Sequence, residues 1–219
     1  MVYSFPFVSL HPKFIMEDKN HFLQKATELF IEHGAKTHTM DDVAKEFGIS
    51  KKTLYQKYKN KEALLEDVLA LKLEEIITKM KKLDLEIDNA IERMFCRDED
   101  IERAIMSNES TLIKQLVKYY PTIFIRHMTD FSDKFSEVLV HNIEKGRKQG
   151  YYREDFDAKV YARIFFQLMM SYDSSPFMEN CCAGRQQYID AALLFYMNAI
   201  TTEKGKEILK NKKLNEKTV

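Results

Sequence analysis

The chain has 219 residues, of which 34 are basic and 34 acidic, so its formal net charge at pH 7 is zero. Any contact with a nucleic acid must therefore come from a local basic patch, because there is no overall excess of positive charge. Hydrophobic residues make up 45% of the chain, enough for a core, and six glycines with four prolines are too few for the turns of a long βαβ enzyme, so the composition favours an all-α fold.

Residues 1–15 differ in composition from the sequence that follows. They are apolar, include Pro6 and Pro12, and have no basic residue at their start. A secretory signal peptide needs positive charge there, a longer apolar core and small residues at its end. We interpret this segment as a flexible extension, and Met16 opens the sequence that folds. No apolar run is long enough to span a bilayer, so we expect a cytoplasmic protein without membrane contact.

Residues 17–34 are predicted to form the first helix. Its apolar residues recur at helical spacing on one face, at Phe22, Leu23, Ala26, Leu29 and Phe30. Gly34 ends this helix, because glycine can turn the chain left-handed without a Cβ penalty. His38 follows in the connection to the next helix. It fits either a phosphate contact or an ordinary loop residue, and the second interpretation is favoured.

A short second helix is predicted to begin after Thr39. The hydroxyl of Thr39 can accept a hydrogen bond from the free amides of a first helical turn, which makes it a good N-cap. Asp41 and Asp42 follow in that turn, where negative charge suits the positive end of the helix. The inward residues of this helix recur at helical spacing: Met40, Val43, Ala44 and Phe47.

A tight turn and a third helix come next. Gly48 supplies the turn, and Ser50 is a second N-cap. The helix that it opens covers residues 51–58 and directs Leu54 and Tyr58 inward. Two short helices joined by a glycine turn are typical of a helix-turn-helix.

Lysine is concentrated in this third helix. The stretch from Ser50 to Lys61 contains five lysines, at positions 51, 52, 57, 59 and 61, and no acidic residue. Most charge runs are simply solvated faces. Here two N-caps, a glycine turn and a lysine-rich third helix occur together, and this combination indicates a helix-turn-helix that binds DNA.

With these residues the chain resembles the DNA-binding domain of the TetR family of bacterial transcriptional regulators. The matching residues are Gly34, Thr39, Val43, Ala44, Gly48, Ile49, Ser50, Thr53, Leu54, Tyr55, Tyr58 and the run Lys61, Glu62, Ala63, Leu64, Leu65. The run Thr-Leu-Tyr followed at this spacing by Lys-Glu-Ala-Leu-Leu is specific. Lys52 stands where the family often has a small residue, and Tyr58 where it more often has phenylalanine, and neither departure breaks the pattern.

The resemblance implies that the partner is a two-fold symmetric operator in double-stranded DNA. The expected DNA-binding residues are Thr39, Ser50, Lys51, Lys52, Thr53, Tyr55, Tyr58 and Lys61. The lysines and the threonine at the start of the recognition helix are expected at base edges or flanking phosphates. The two tyrosines and the last lysine match family positions that chiefly hold phosphates, and the two N-cap residues can add hydroxyls or amides.

The rest of the chain is also predicted to be helical. The expected helices cover residues 61–82, 108–119, 121–149, 158–172 and 185–200. Pro121 suits the first turn of one of them, Gly150 closes it, and Asp155 or Asp157 can cap the next. Residues 84–103 are rich in acids. We interpret them as a solvated acidic face rather than a metal site, because the carboxylates do not converge with histidine at ligand spacing.

The resemblance extends more loosely over the C-terminal part and implies a homodimer, in which the last two long helices pair with their copies. The residues expected at the interface are Leu168, Ile189, Leu193 and Met197. The resemblance also implies a cavity for a small effector, with candidate lining residues Met128, Phe131, Phe166 and Met169, although such stripes most often belong to a core. The expected effector is apolar and otherwise unknown, and neither a cofactor nor a metal is expected.

Four segments follow from these assignments, with about nine helices in all. They are a flexible extension (1–15), a three-helix helix-turn-helix DNA-binding domain (16–62), a helical effector-binding and dimerisation domain (63–205) and a charged tail (206–219). The cysteines at 96, 181 and 182 are expected to be reduced thiols. The adjacent pair could sense oxidants or bind a soft metal, but without Cys-x-x-Cys spacing an ordinary loop position is favoured.

We interpret the chain as a non-enzymatic transcriptional repressor that a small apolar ligand releases from its operator. The alternative is a helical small-molecule-binding protein or enzyme in which the helix-turn-helix is only structural. The sequence contains no glycine-rich phosphate loop, nucleophile elbow or His-Glu-x-x-His motif, so it gives no support to an enzyme. A DNA-binding dimer without an effector, or an activator, also fits the sequence.

Overall fold

The computed structural model describes residues 19–96, 109–178 and 184–216 of the chain. These residues form α-helices and one short 3₁₀-helix, with a single isolated β-bridge between Tyr152 and Thr201. The all-α fold class is therefore confirmed. The helices are α1 (Lys19–His33), α2 (Met40–Glu46), α3 (Lys51–Lys57), α4 (Lys61–Glu86), α5 (Ala90–Phe95), α6 (Glu109–Tyr119), α7 (Pro121–Lys148), α8 (Ala158–Ser174), the 3₁₀-helix Pro176–Met178, α9 (Arg185–Ile200) and α10 (Glu203–Glu216).

The chain divides into two compact units, the first ending at Lys72 and the second beginning at Leu73. The core of the first unit is formed by apolar residues of α1 to α4, among them Phe22, Phe30, Val43, Leu54 and Leu64, all of them fully buried. Gly34 ends α1 with a φ of 85°, a left-handed conformation that favours glycine. The predicted ends of α1 and α3 agree with the observed ones within two residues, and α4 ends four residues later than predicted.

The second unit is held together by two clusters of buried side chains. The larger cluster includes Ile91, Leu139, Ile143, Tyr152, Ala162, Phe165, Tyr196, Met197 and Ile200. The smaller one comprises Ile77, Met80, Phe131, Val138 and Phe166. Helix α7 contributes to both clusters, and it packs most extensively against α8. Among the described residues, no helix is long and apolar enough to cross a membrane.

The short connection between α4 and α5 is fixed by side chains of α7. Lys145 Nζ donates to the carbonyl oxygens of Asp84 (3.2 Å) and Ile87 (2.9 Å). Gln149 accepts from the amide of Ala90 (3.0 Å), and Asn142 donates to the carbonyl oxygen of the same residue (3.1 Å). The carbonyls of Asp84 in α4 and Ile87 in the connection, and the first amide of α5, thus have partners.

The acidic segment after α4 differs from its prediction as a solvated face. Asp84 and Arg93 are each only 8% exposed and form an ion pair, with Oδ1 and Nε 3.7 Å apart. The other carboxylate oxygen of Asp84 contacts Nδ1 of His141. The prediction is wrong at this position, because the charge is buried with its partners instead of facing water. Residues 97–108 lie outside the described part of the chain.

The segment predicted as a charged tail is largely helical. Helix α10 covers Glu203–Glu216, where a charged tail was expected from residue 206. Leu209 of this helix is buried and belongs to the larger cluster. An apolar residue at the right position is thus enough to hold a strongly charged segment as a helix, because charged side chains can occupy its other face.

Candidate nucleic-acid interface

Helix α2 begins with a complete capping box. The amide of Asp42 donates to Oγ1 of Thr39 (3.2 Å), and the amide of Thr39 donates to Oδ2 of Asp42 (2.9 Å). The hydroxyl of Thr39 donates to the same carboxylate (2.7 Å). These hydrogen bonds from Thr39 hold the pKa of Asp42 below its ordinary value. Reciprocal bonds of this kind fix the direction in which the helix leaves the preceding loop.

The turn between α2 and α3 depends on Gly48, whose φ is 61°. A Cβ atom added there would meet nothing within 4 Å, so the requirement for glycine is conformational and not steric. The amide of Ile49 donates to the carbonyl oxygen of Ala44 (2.9 Å), and the side chain of Ile49 is buried. These contacts fix the geometry with which α3 follows α2.

Helix α3 is capped by Ser50, as predicted. The amide of Thr53 donates to Oγ of Ser50 (3.0 Å), and the two hydroxyls share a hydrogen bond of 2.7 Å. Leu54 is completely buried and anchors the helix in the core. The opposite face, with Lys51, Lys52 and Tyr55, is therefore exposed to solvent.

The two lysines at the start of α3 have different surroundings. Nζ of Lys51 pairs with Oδ2 of Asp41, which lies in the first turn of α2. This hydrogen bond and the charge of Asp41 raise the pKa of Lys51, so the ammonium stays protonated. Lys52 is exposed and has no ion-pair partner within the described ranges. Sequence reasoning assigned Asp41 to the helix dipole alone and missed the pairing, because a contact between two helices is not visible in the spacing of either one.

Tyr58 packs in the core of the first unit, and its assignment as a phosphate contact stays a prediction. It is only 4% exposed, and its ring stacks on that of Phe22 with centroids 6.0 Å apart. Its hydroxyl donates to Oδ2 of Asp67 (3.2 Å). Burial, together with the charge of Asp67, raises the pKa of Tyr58, so the group stays a protonated donor. The hydroxyl is thus already used inside the unit.

Lys61 lies at the start of α4 beside the loop that precedes α2. Its Nζ donates to the carbonyl oxygen of Lys36 (3.4 Å) and lies 5.9 Å from the centroid of the Phe30 ring. Partial burial lowers the pKa of Lys61. In the same loop, the rings of His33 and His38 stack with centroids 4.7 Å apart. His38 is therefore ordered by a ring contact, and its role toward DNA stays a prediction.

The eight predicted DNA-binding residues thus fall into three groups. Thr39 and Ser50 cap the two short helices, and Tyr58 is part of the core. Lys51, Lys52, Thr53 and Tyr55 lie together along the first two turns of α3, and Lys61 lies at the start of α4. The exposed group on α3 is what a recognition helix presents to the major groove.

The four predicted effector-contacting residues are not brought together in one place. Phe131 and Phe166 belong to the smaller cluster, with ring centroids 5.9 Å apart, and Met128 packs against them. Met169 packs against the larger cluster instead. The spacing of apolar residues along α7 and α8 did not predict which cluster each residue joins, because each of these helices contributes to both clusters.

The predicted dimer residues differ in their accessibility. Leu168, Ile189 and Leu193 are half-buried, but Met197 is 0% exposed within a single chain. Met197 has no exposed surface in a single chain, and its assignment to an interface stays a prediction. The large apolar residues that are exposed on α8 and α9 are Val160, Ile164 and Phe195, none of which the sequence analysis selected for the interface.

Comparison with known proteins supports the DNA-binding class of these helices. The sequence profile of the bacterial regulatory proteins of the tetR family matches residues 22–68. The HTH-type (helix-turn-helix) transcriptional regulator YdeS of Bacillus subtilis (strain 168) is 25% identical over 160 residues, which are 69% of this chain and 78% of YdeS. The HTH-type transcriptional repressor KstR2 of Rhodococcus jostii (strain RHA1) is 22% identical over 149 residues, 67% of this chain and 73% of the repressor.

The fold has counterparts among solved structures. The crystal structure of a TetR-family transcriptional regulator from Agrobacterium tumefaciens superposes with a TM-score of 0.66 at 18% identity, covering 88% of this chain and all of the other. Two capped helices about a glycine turn, joined to a helical C-terminal unit, define a helix-turn-helix regulator. Residues 22–68 match the DNA-binding domain of the tetR family of bacterial regulatory proteins, and the chain as a whole has the fold of a TetR-family regulator.

Proposed function

We propose that the chain is a homodimeric repressor that binds a two-fold symmetric operator and leaves it when a small apolar ligand binds. The observation that carries this proposal is the exposed face of α3, where Lys51, Lys52 and Tyr55 stand beside two capped helix starts. Helix N-termini and lysines together suit the phosphates and the major-groove edges of DNA. The relative KstR2 is a transcriptional repressor, which supports the sign of regulation.

A dimer is supported by the exposed apolar residues of the last two long helices of the second unit. Helices α8 and α9 pack on each other, with the rings of Phe165 and Tyr196 4.6 Å apart at their centroids. The residue before each of these rings, Ile164 and Phe195, is exposed, and the exposure of Phe195 reaches 68%. Exposed large apolar residues on neighbouring helices mark a protein contact surface, and a two-fold axis would bury them against their copies.

An apolar effector is supported by the smaller cluster of the second unit. Its members Ile77 and Met80 belong to α4, whereas Phe131 and Phe166 belong to α7 and α8. The rings of Phe135 and Phe166 are only 5.3 Å apart, so a ligand must separate side chains that now touch. It would bind a conformation in which the cluster is open, and flexible methionines such as Met80 and Met128 suit such repacking.

Coupling between the ligand and DNA would run through α4, which is continuous from Lys61 to Glu86. A ligand releases DNA only if it binds the non-binding conformation more tightly, since equal affinity for both shifts nothing. A coupling free energy of about 1–3 kcal/mol gives roughly 5–150-fold weaker operator binding. By linkage, operator DNA then weakens ligand binding by the same factor.

The DNA-binding part is tested by selection from a randomised duplex library, followed by fluorescence anisotropy on the selected sequence. We expect a selected sequence with two-fold symmetry. Lys61→Ala should weaken binding to all sequences alike and reduce the salt slope by about one. A protein that enriches no sequence contradicts operator binding.

The dimer is tested by light scattering on Phe195→Asp. This substitution would leave an unpaired charge in a desolvated interface, so we expect the variant to be monomeric. Ile125→Asp is the matched control, because Ile125 is an equally exposed apolar residue on α7. Equal masses for both variants and the unmodified protein would place the interface elsewhere, and a monomeric unmodified protein would overturn the dimer.

A further inference from the structure

We propose that Asp41 is a specificity determinant of DNA recognition. Asp41 and Lys51 form an ion pair with one hydrogen-bond acceptor and one donor group, which together fit the edge of a G·C base pair. The carboxylate also reduces the binding of the lysine to phosphates of any sequence. The inference rests on the proposed operator binding and adds to it an acidic residue whose effect on non-specific DNA is repulsive.

The two side chains meet at the surface between the helix starts. Asp41 lies in the first turn of α2, and Lys51 is the first residue of α3. Both remain largely exposed, the lysine at 65% and the aspartate at 50% of their side-chain surface. A contact partner approaching the start of α3 would therefore meet a carboxylate and an ammonium side by side.

The capping of α2 does not require Asp41, whose structural contribution is limited to the favourable charge in the first helical turn. The capping box of α2 uses the neighbouring carboxylate, that of Asp42, which exchanges hydrogen bonds with Thr39. An exposed ion pair such as Asp41–Lys51 contributes little to stability. The pair is thus dispensable for folding, yet it places a negative charge where a DNA-binding surface is expected to be positive.

A negative charge at this place distinguishes phosphates from bases. In a non-specific complex, the charge of Lys51 is already balanced by Asp41, so the lysine gains less from a phosphate, and the carboxylate also repels the DNA backbone. At a G·C pair both groups find partners together, because O6 and N7 of guanine accept from a lysine and N4 of cytosine donates to a carboxylate. Specificity obtained by penalising the wrong partner needs such a repulsive element.

The experiment compares the unmodified protein with Asp41→Asn in the same randomised-duplex selection, and then measures both affinities against a salt series. For Asp41→Asn we expect tighter binding to a non-specific duplex, by about three- to tenfold near 0.1 M salt, with a salt slope steeper by about one. Affinity for the selected sequence should rise less, so the ratio of the two affinities falls. In the sequences selected by Asp41→Asn, the preference for a particular base pair should be lost at a position where the unmodified protein selects G·C.

Two further variants separate this effect from simple removal of a negative charge. Glu46→Gln removes an exposed carboxylate from the other end of α2 and should leave the affinity ratio unchanged. Asp41→Asn combined with Lys51→Gln should lose the gain in non-specific affinity, because the freed lysine causes it. Thermal unfolding of each variant verifies that the fold is intact.

The outcomes are distinguishable. An affinity ratio that is the same for Asp41→Asn and the unmodified protein overturns the role of Asp41 and leaves operator binding intact. The same holds if Glu46→Gln lowers the ratio equally, or if the lost preference is at an A·T pair. If the unmodified protein selects no sequence, both operator binding and the specificity role are overturned.

Discussion

The start of the recognition helix and the α4–α5 connection are both held by hydrogen bonds, but over very different distances along the chain. In the first region, Thr39 bonds to Asp42 and Ser50 to Thr53, three residues away in each case. In the second region, the carbonyl oxygen of Ala90 accepts from Asn142 and Tyr152, which follow 52 and 62 residues later. The first region is built from local contacts and the second from contacts between distant helices.

The first region lies at the proposed DNA-binding surface, whereas the second region stabilises the fold. Local caps need few partners, so the exposed face of α3 can change its side chains with little effect on stability. The α4–α5 connection contains buried polar groups whose partners lie on α7 and at Tyr152 after it, and removing one partner leaves the other unsatisfied. We therefore expect substitutions in the second region to act on the free energy of unfolding, and substitutions on α3 to act on DNA affinity.

The largest effect is expected from Arg93→Met. This change leaves the buried carboxylate of Asp84 without its ion-pair partner, and it removes the hydrogen bond from Nη2 to the carbonyl oxygen of Met80 (3.1 Å). We expect a loss of about 3–5 kcal/mol in the free energy of unfolding, measured by urea denaturation. Adding Asp84→Asn to the variant should recover part of that loss.

Arg163→Met is the matched control for that prediction. Arg163 also pairs with an aspartate, Asp133 (2.8 Å), but both side chains are more than half exposed. The loss should stay below about 1 kcal/mol, because a surface ion pair contributes little. Similar losses of stability for the two arginine variants would show that the burial of Asp84 does not increase the cost of removing its partner.

The next effect compares two glycines that are required for different reasons. A Cβ atom on Gly146 of α7 would overlap the ring of Tyr152, which cannot move away because it is buried and hydrogen-bonded to Ala90 (2.9 Å). Gly146→Ala should cost about 1–3 kcal/mol through overpacking. Gly48→Ala should cost about 1–2 kcal/mol through its left-handed backbone alone.

Asparagine distinguishes the two cases. Gly48→Asn should be milder than Gly48→Ala, because asparagine adopts the left-handed conformation more readily. Gly146→Asn should be worse than Gly146→Ala, because the added atoms increase the overlap with Tyr152. Thermal unfolding of all four variants tests the order, and a reversed order at Gly48 would show that space rather than backbone conformation selects glycine there.

A smaller effect is expected at the cap of α2. Thr39→Ala removes the side-chain oxygen that accepts from the amide of Asp42 and should cost about 0.5–2 kcal/mol. Thr39→Ser keeps an oxygen at that place and should be nearly neutral. Denaturant titrations of the two variants should therefore differ, and identical midpoints would mean that the capping bond does not contribute.

The smallest effect on stability is expected from Lys52→Ala, which changes an exposed residue outside the core. The free energy of unfolding should change by no more than about 0.5 kcal/mol. The salt slope of DNA binding should nevertheless fall by about one, because one phosphate or base contact is lost. An unchanged slope would remove Lys52 from the DNA-binding face.

The same difference in contact distance explains what the sequence could predict. The N-caps Thr39, Ser50 and Asp157 and the left-handed glycine at 48 were recognisable because their partners lie within a few residues. The burial of Asp84 was not, since its partner His141 is 57 residues away. Periodicity identifies the apolar face of a helix, but it does not say which apolar residues face the same chain.

Met197 and Phe195 illustrate that last point. Both are apolar residues of α9, and they are two positions apart, so they lie on different sides of the helix. The first is buried in the larger cluster and the second is exposed. Only the packing of α9 against α8 decides between them, and the spacing of apolar residues along α9 alone does not contain that information.

Hydrogen bonds from Lys145 hold the C-terminal end of helix α4 in place. They hold the carbonyl oxygens of Asp84 and Ile87, at the end of a helix of 26 residues. With a rise of 1.5 Å per residue the helix is about 39 Å long, so a rotation of about 5° around the held end displaces the other end by about 3 Å. A small rotation at the held end is thus enlarged along α4, and we expect the replacement of Lys145 to fix this end of the helix less firmly.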